Sequence, residues 1–169
     1  MYLIISGTNR EGSNTLKVAK EYQRLLKERS IACILFSLEG VDLLTRSKDF
    51  EKIENELLIP ADNYIFISPE YNGSFPGALK LLFDTAKTHS LWWHKKALLT
   101  GVSTGRAGNL RGMDHLASVL NYVKVMVHHN RLPISSVDKL MDADGHFTDE
   151  NTLKAINQQL DEFIKWTGA

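Results

Sequence analysis

The sequence predicts an α/β fold: a five-stranded parallel sheet covered on both faces by helices, a three-layer α/β/α sandwich. Two observations carry this. Short apolar runs of strand length alternate with longer segments whose apolar residues recur at helical spacing. The runs are apolar along their length, as strands buried on both faces must be. A third observation locates the site. Polar loops follow the first, third and fourth runs, and in such sheets ligands lie beyond the carboxyl ends of the strands, at a switch in topology. The same rule puts all three loops on one edge.

The elements follow in order. Tyr2-Leu3-Ile4-Ile5 is the first strand, and Ser6 to Thr15 (SGTNREGSNT) is the loop behind it. Val18, Ala19, Tyr22, Leu25 and Leu26 then form one face of a helix ending near Arg29-Ser30. Residues 31–36 make the second strand, followed by a loop at Gly40 and an amphipathic segment over 49–58. The third strand, 64–67, runs into a loop from Ser68 to Gly77 whose two prolines, two glycines and Asn-Gly pair mark a shaped connection. Pro76 suits the first turn of the next helix, with Ala78, Leu79, Leu82, Phe83 and Ala86 inward and Lys80 paired to Asp84 outside. Residues 97–102 are the fourth strand, and Ser103 to Asn109 the loop that leads to a helix with Met113, Leu116, Ala117 and Leu120 on one side. The fifth strand is read as Val123 to Val127, extended toward Leu132-Pro133-Ile134. The last helix is predicted to start at Thr148, in a capping box with Asn151 in place of Glu, and to run through Leu153, Ile156, Leu160, Phe163 and Ile164.

Composition sets bounds. A chain of 169 residues, 43% hydrophobic and without a Pro/Gly/Ser-rich linker, reads as a single domain over 1–169. Twenty basic residues balance twenty acidic ones, so no overall field favours nucleic acid or an anionic membrane. No signal peptide and no apolar run near membrane-spanning length is visible, which implies a cytoplasmic location. The one cysteine, Cys33, has no internal partner and reads as a small buried strand residue.

The first loop carries chemistry. Thr8, Asn9, Ser13, Asn14 and Thr15 offer hydroxyls and amides, Arg10 a cation, and the following helix start a set of free N–H groups. Gly7 to Gly12 has P-loop spacing, but Ser13 and Asn14 stand where that motif needs Lys and Ser or Thr, and no G-x-G-x-x-G occurs here. What remains is a monophosphate site, against the bland alternative of a turn with a helix cap. The other two loops are left to hold a flat organic group, with Tyr71 and Phe75 as aromatic contacts.

These residues carry a resemblance. Gly7-Thr8-Asn9-Arg10 with Ser13, then Pro69-Glu70-Tyr71-Asn72-Gly73-Ser74 leading to Pro76-Gly77-Ala78-Leu79-Lys80, resembles the NADPH-dependent FMN reductase family of flavodoxin-like proteins. The resemblance runs from the first strand to the last helix and implies a flavodoxin-like FMN-binding domain. It implies phosphate contacts from Thr8, Arg10, Ser13, Asn14 and Thr15, and ring contacts from Pro69, Glu70, Tyr71, Asn72 and Gly73. Ser103, Thr104, Gly105 and Arg106 would close over the ring from the other side. Thr8 stands where the family often has Ser, and keeps the hydroxyl. The implied activity is electron transfer from NADPH or NADH through FMN to a quinone, azo compound, flavin or metal oxyanion, in a homodimer or homotetramer. The flavin carries that chemistry, so no catalytic acid or base is named. The alternative is a non-enzymatic electron carrier like flavodoxin. Flavodoxins tend to be acidic, whereas this chain is neutral and has Arg106 and Arg111 near the third loop.

Other clusters read as structural, and no metal is expected. His128 and His129 are neighbours on a predicted strand, where adjacent side chains point to opposite faces. His89 and His94 lack the i, i+4 spacing of a zinc helix. Asp142-Ala143-Asp144-Gly145 lacks both the first ligand and the final Glu of a calcium loop. Trp92 and Trp93 read as packing anchors, with a subunit contact beside Leu91 as the alternative.

Overall fold

Six strands form one sheet in the computed structural model, which describes residues 1–87 and 91–169. They are β1 (Tyr2–Ser6), β2 (Cys33–Ser37), β3 (Asn63–Pro69), β4 (Lys96–Val102), β5 (Met126–Val127) and β6 (Leu132–Ile134). The order is β2-β1-β3-β4-β5, with β6 also on β4, and every pairing is parallel. The direction of winding switches between β1 and β3, so a crevice opens there at the carboxyl edge.

Side-chain alternation sorts the core into two layers. Leu3, Ile5, Tyr64, Phe66, Ala97 and Leu99 face α2 (Lys48–Ile53), α3 (Gly77–Thr85) and α4 (Leu110–Tyr122), where Phe50, Leu82 and Leu116 are buried. Tyr2, Ile4, Ile65, Ile67 and Leu98 face α1 (Asn14–Glu28) and α5 (Glu150–Thr167), against Val18, Leu26, Ile156 and Phe163. Trp92 is fully buried, 5.3 Å from the ring of Tyr64 and 4.8 Å from that of Phe83, as a packing anchor should be. Among the described residues no helix is long and apolar enough to cross a membrane.

The fifth sheet position is the main departure from the expected elements. α4 continues to Tyr122, and Val123 and Lys124 turn the chain, so β5 starts only at Met126. Between β5 and β6 the backbone leaves the sheet, and the Gln159 side chain bridges the gap: its Nε2 donates to Leu99 O at 3.0 Å and to Asn130 O at 2.9 Å. Its Oε1 accepts from the Tyr22 and Thr100 hydroxyls, which closes a buried polar network across the α1–α5 layer. Smaller differences are local. α5 is capped by Asp149, whose carboxylate accepts from Thr152 N at 2.7 Å, and not by Thr148. Pro76 is the N-cap of α3, one residue ahead of its first turn. The amphipathic segment is α2 continued by a π-turn over Glu54–Leu58. Cys33 is half-buried on the edge strand β2.

Candidate functional site

The first loop leaves β1 under close constraint. Gly7 N donates to Ile67 O at 2.8 Å, and a Cβ on Gly7 would stand 3.0 Å from that oxygen and from Leu79 Cδ2. A side chain there would force these neighbours to give, and glycine allows the close approach. Ser13, at φ −65° and ψ 148°, caps α1 by accepting from Leu16 N at 3.1 Å. The amides of Asn14 and Thr15 precede any intrahelical acceptor, so they face outward as donors at the positive end of the helix.

Arg10 lies beside this helix start, its guanidinium 4.0 Å over the ring of Tyr71. Among the described residues no carboxylate pairs with it. Thr8 is buried and sits behind the pocket: its Oγ1 accepts from Arg10 N at 3.2 Å and bonds Tyr71 OH at 2.7 Å. Thr8 thus braces the two groups in front of it.

The second loop is a tight reversal. Tyr71 N donates to Ser74 O at 2.9 Å and Ser74 N to Tyr71 O at 3.2 Å, while Asn72 and Gly73 both have positive φ, 53° and 77°. Two consecutive left-handed residues make a type I′ turn, the conformation Asn-Gly favours. Glu70 N donates to Val102 O, and the Glu70 carboxylate accepts from Asn109 N at 3.1 Å. Asn109 is fully buried in a left-handed conformation, and its Nδ2 donates to Ser68 O, Ser68 Oγ and Pro69 O at 2.9–3.2 Å. The third loop starts with Ser103, whose Oγ donates to Gly105 O and accepts from Gly108 N. Beyond it Thr104, Gly105 and Arg106 are exposed.

These loops enclose a trough. Arg10, Ser13, Asn14 and Thr15 line one end of a pocket of about 380 Å³. Pro69, Glu70, Tyr71, Asn72, Ser103 and Thr104 line the other. A second pocket of about 470 Å³ shares Glu70, Asn72, Ser103 and Thr104 and adds Gly73, Gly105 and Arg106. Thirteen of the fourteen expected residues therefore line one continuous groove, with Thr8 behind it. Phe75 does not contribute; it packs on the core under α3. Glu11, Val102 and Val137 also line the groove and were not anticipated. Val137 follows β6, held by its amide bond to Ser103 O, and no local pattern marks it. In sequence Asn109 reads only as the end of the third loop, although Gly-Asn ahead of an apolar helix is a cue for a left-handed start.

The donor set suits a flavin mononucleotide. One end offers a cation, a hydroxyl and helix-start amides for a phosphate dianion; the other is a flat-sided slot of aromatic ring and backbone. A parallel sheet in this strand order with such a groove defines a flavodoxin-fold nucleotide-binding protein. The sequence model of NADPH-dependent FMN reductase matches residues 2–139. A 2-hydroxy-1,4-benzoquinone reductase from Burkholderia sp. is 31% identical over 81% of this chain and 82% of its own length. An NAD(P)H-dependent FMN reductase from Pseudomonas aeruginosa is 33% identical over 66% of this chain and 62% of its own. Among solved structures, the flavoenzyme FerB, an NAD(P)H:(acceptor) oxidoreductase from Paracoccus denitrificans, superposes with a TM-score of 0.78 at 24% identity, covering 98% of this chain and 94% of that one. A pneumococcal flavodoxin superposes with a TM-score of 0.64 at 13% identity, over 97% and 96% of the two chains. This chain belongs to the NADPH-dependent FMN reductase family, an oxidoreductase family that uses FMN and a reduced nicotinamide.

Proposed function

We propose that the protein passes electrons from NADPH or NADH to a quinone-type acceptor, using FMN held in the trough. The observation that carries this is the convergence of the three loops on one groove with a phosphate end and a ring end. The quinone assignment is supported by the 31%-identical benzoquinone reductase. FMN, when bound, supplies the exchange of electrons between nicotinamide and acceptor. The chain's own part is to bind and orient. Arg10, Ser13 and the amides of Asn14 and Thr15 would neutralise the phosphate. Pro69 to Gly73 would wall one side of the ring, and Ser103 to Arg106 the other. Arg106 and Arg111, the latter packed beside Gly73, put two cations at the ring end where a nicotinamide dinucleotide phosphate would approach.

A homodimer or homotetramer acting in the cytoplasm completes the proposal. Leu91 and Trp92 are buried within the chain and are not available to a subunit contact. Leu110 and Tyr122 on α4 and Met126 on β5 are exposed apolar residues that a second copy would cover. Light scattering showing a monomer at micromolar concentration would reject this part. The main reading is tested by absorbance of the FMN-loaded protein and by steady-state assays of both nicotinamides against quinones, azo dyes, free flavin and metal oxyanions. Quinone turnover with parallel double-reciprocal lines is expected, because donor and acceptor take turns at one site. Bound flavin without nicotinamide oxidation under any acceptor would return the electron-carrier alternative.

A further inference from the structure

At the edge of the sheet away from the trough, three side chains meet that the FMN reading does not use. β5 ends at Val127, and the last tie to the sheet is His128 N to Ala97 O at 2.8 Å. His128 and His129 therefore do not point to opposite faces as strand neighbours would. Their ring centroids are 4.4 Å apart with planes tilted by 38°. Glu162 on α5 reaches the same point, so that one nitrogen of each imidazole and one carboxylate oxygen lie within 4.8 Å of one another.

We propose that His128, His129 and Glu162 form a binding site for a divalent cation of the zinc type, which ties the β5–β6 connection to α5. Two imidazoles and a carboxylate are a donor set such ions take, with the fourth position left to water. Bonds of 2.0–2.1 Å place tetrahedral ligands about 3.3 Å apart, so the widest spacing in the cluster, up to 4.8 Å, must close by up to about 1.5 Å. His129 is exposed, so closing the cluster falls chiefly to its side chain, whereas His128 is buried and Glu162 half-buried. Each oxygen of Glu162 accepts one amide, from Gln158 Nε2 at 2.9 Å and Asn130 Nδ2 at 2.7 Å, and keeps a lone pair for the metal. The His128 ring is packed against Trp166 and against the edge of Phe163. Such outer contacts orient ligands in metal sites.

The site has a spectroscopic signature. His128 Nδ1 accepts from Asn130 N at 3.3 Å, a long bond. A metal on Nδ1 replaces it, and a metal on Nε2 puts the ring proton on Nδ1 and breaks it as well, so either way the Asn130 amide loses its acceptor. Lys96, whose Nζ donates to Trp166 O at 3.0 Å, is a cation on the same edge of the sheet and opposes a metal there. Ala97 is five residues before Val102 on β4, about 16 Å along the strand, so the metal lies far from the trough.

The test uses untagged protein stripped with a chelator and titrated with zinc chloride against a chromogenic indicator. One equivalent binding with a dissociation constant of about 10 μM or below is expected, together with movement of the Asn130 amide resonance. His129→Ala and Glu162→Gln should each weaken binding at least about tenfold. Both should leave far-UV circular dichroism and nicotinamide oxidation by the FMN-loaded protein unchanged. Absence of saturable one-to-one binding, affinity retained in either variant, or an unmoved Asn130 amide would overturn the site. Those results would leave the FMN reading intact, since FMN binding is measured separately on the same samples.

Discussion

The two walls of the trough are built differently. The wall after β3 is fixed from behind: buried Asn109 gathers Ser68, Pro69 and Glu70 through one side chain and one amide, and the reciprocal Tyr71–Ser74 turn stiffens the tip. The wall after β4 is held through the Ser103 hydroxyl and through backbone bonds from the strand beside it, Ser103 N to Ile134 O, Val137 N to Ser103 O and Ser136 N to Gly105 O, while Thr104 and Arg106 at its tip are exposed. The contrast separates two demands. A bound ring needs one preorganised face, and an opening that admits two successive partners needs a rim with few internal commitments.

Removing the brace should have the largest effect. Asn109→Ala removes the side-chain donor to Ser68 O and Pro69 O and puts alanine, without the polar side chain by which Asn tolerates it, in a left-handed conformation, together costing about 3 kcal/mol. Asn109→Asp should be worse, because a carboxylate would face two carbonyls and the Glu70 carboxylate. Urea unfolding of the flavin-free protein measures the loss, and FMN affinity should fall with it. A stability change under about 1 kcal/mol would show that the β3 wall stands without Asn109.

Next is the phosphate end. If Arg10 makes a charge-assisted contact to the FMN phosphate, Arg10→Ala should cost about 1.5–3 kcal/mol, or roughly tenfold to a hundredfold in FMN affinity. Its stacking on Tyr71 offers a competing role, bracing the rigid wall, worth about 0.5–1 kcal/mol at an exposed site. Riboflavin has the ring without the phosphate and separates the two. Its binding should change less than about threefold. Equal losses for both flavins would move Arg10 from the phosphate to the wall.

Much of this difference was legible before the structure, and the remainder was not, for identifiable reasons. The rigid wall's turn is local chemistry: Asn72-Gly73 specifies the type I′ reversal, and the apolar-to-polar change at Ser6 marks the end of β1. The brace is tertiary. Asn109 is 39 residues from Glu70 in sequence, and nothing in its neighbourhood names its partners. Val137 reaches the groove because β6 runs beside β4, a pairing hidden by the break at β5. That break is bridged by Gln159, a residue distant in sequence, and at it His128 and His129 turn toward each other against strand alternation. Thr148 lost the cap of α5 to Asp149, one residue on, within the usual margin for helix ends.

The looser wall gives the third test. Ser103→Ala removes one donor and one acceptor at the base of the loop and leaves Gly108 N unpartnered, for about 1 kcal/mol. FMN affinity should fall less than in Asn109→Ala. A larger fall would mean that the β4 wall, and not the β3 wall, is the preorganised one.

The smallest effect is expected at the exposed tip. Arg106 lines the ring end and is exposed, so its attraction for a nucleotide phosphate is screened and worth about 0.2–1 kcal/mol, the range of surface ion pairs. Because the Arg106 side chain is exposed, Arg106→Ala should leave unfolding unchanged and lower FMN affinity by at most about twofold. If Arg106 meets the extra phosphate that distinguishes NADPH from NADH, its loss should raise KM for NADPH by about 1.5- to 5-fold and leave KM for NADH in place. The effect should shrink further at high salt, as a screened surface contact must. A fall in kcat with both nicotinamides would assign Arg106 to the bound ring instead, and would make the tip part of the preorganised surface. Equal rises in KM for the two donors would place it on their shared pyrophosphate. Only a selective, salt-sensitive rise for NADPH keeps the division between a fixed wall for the flavin and an adaptable rim for its partners.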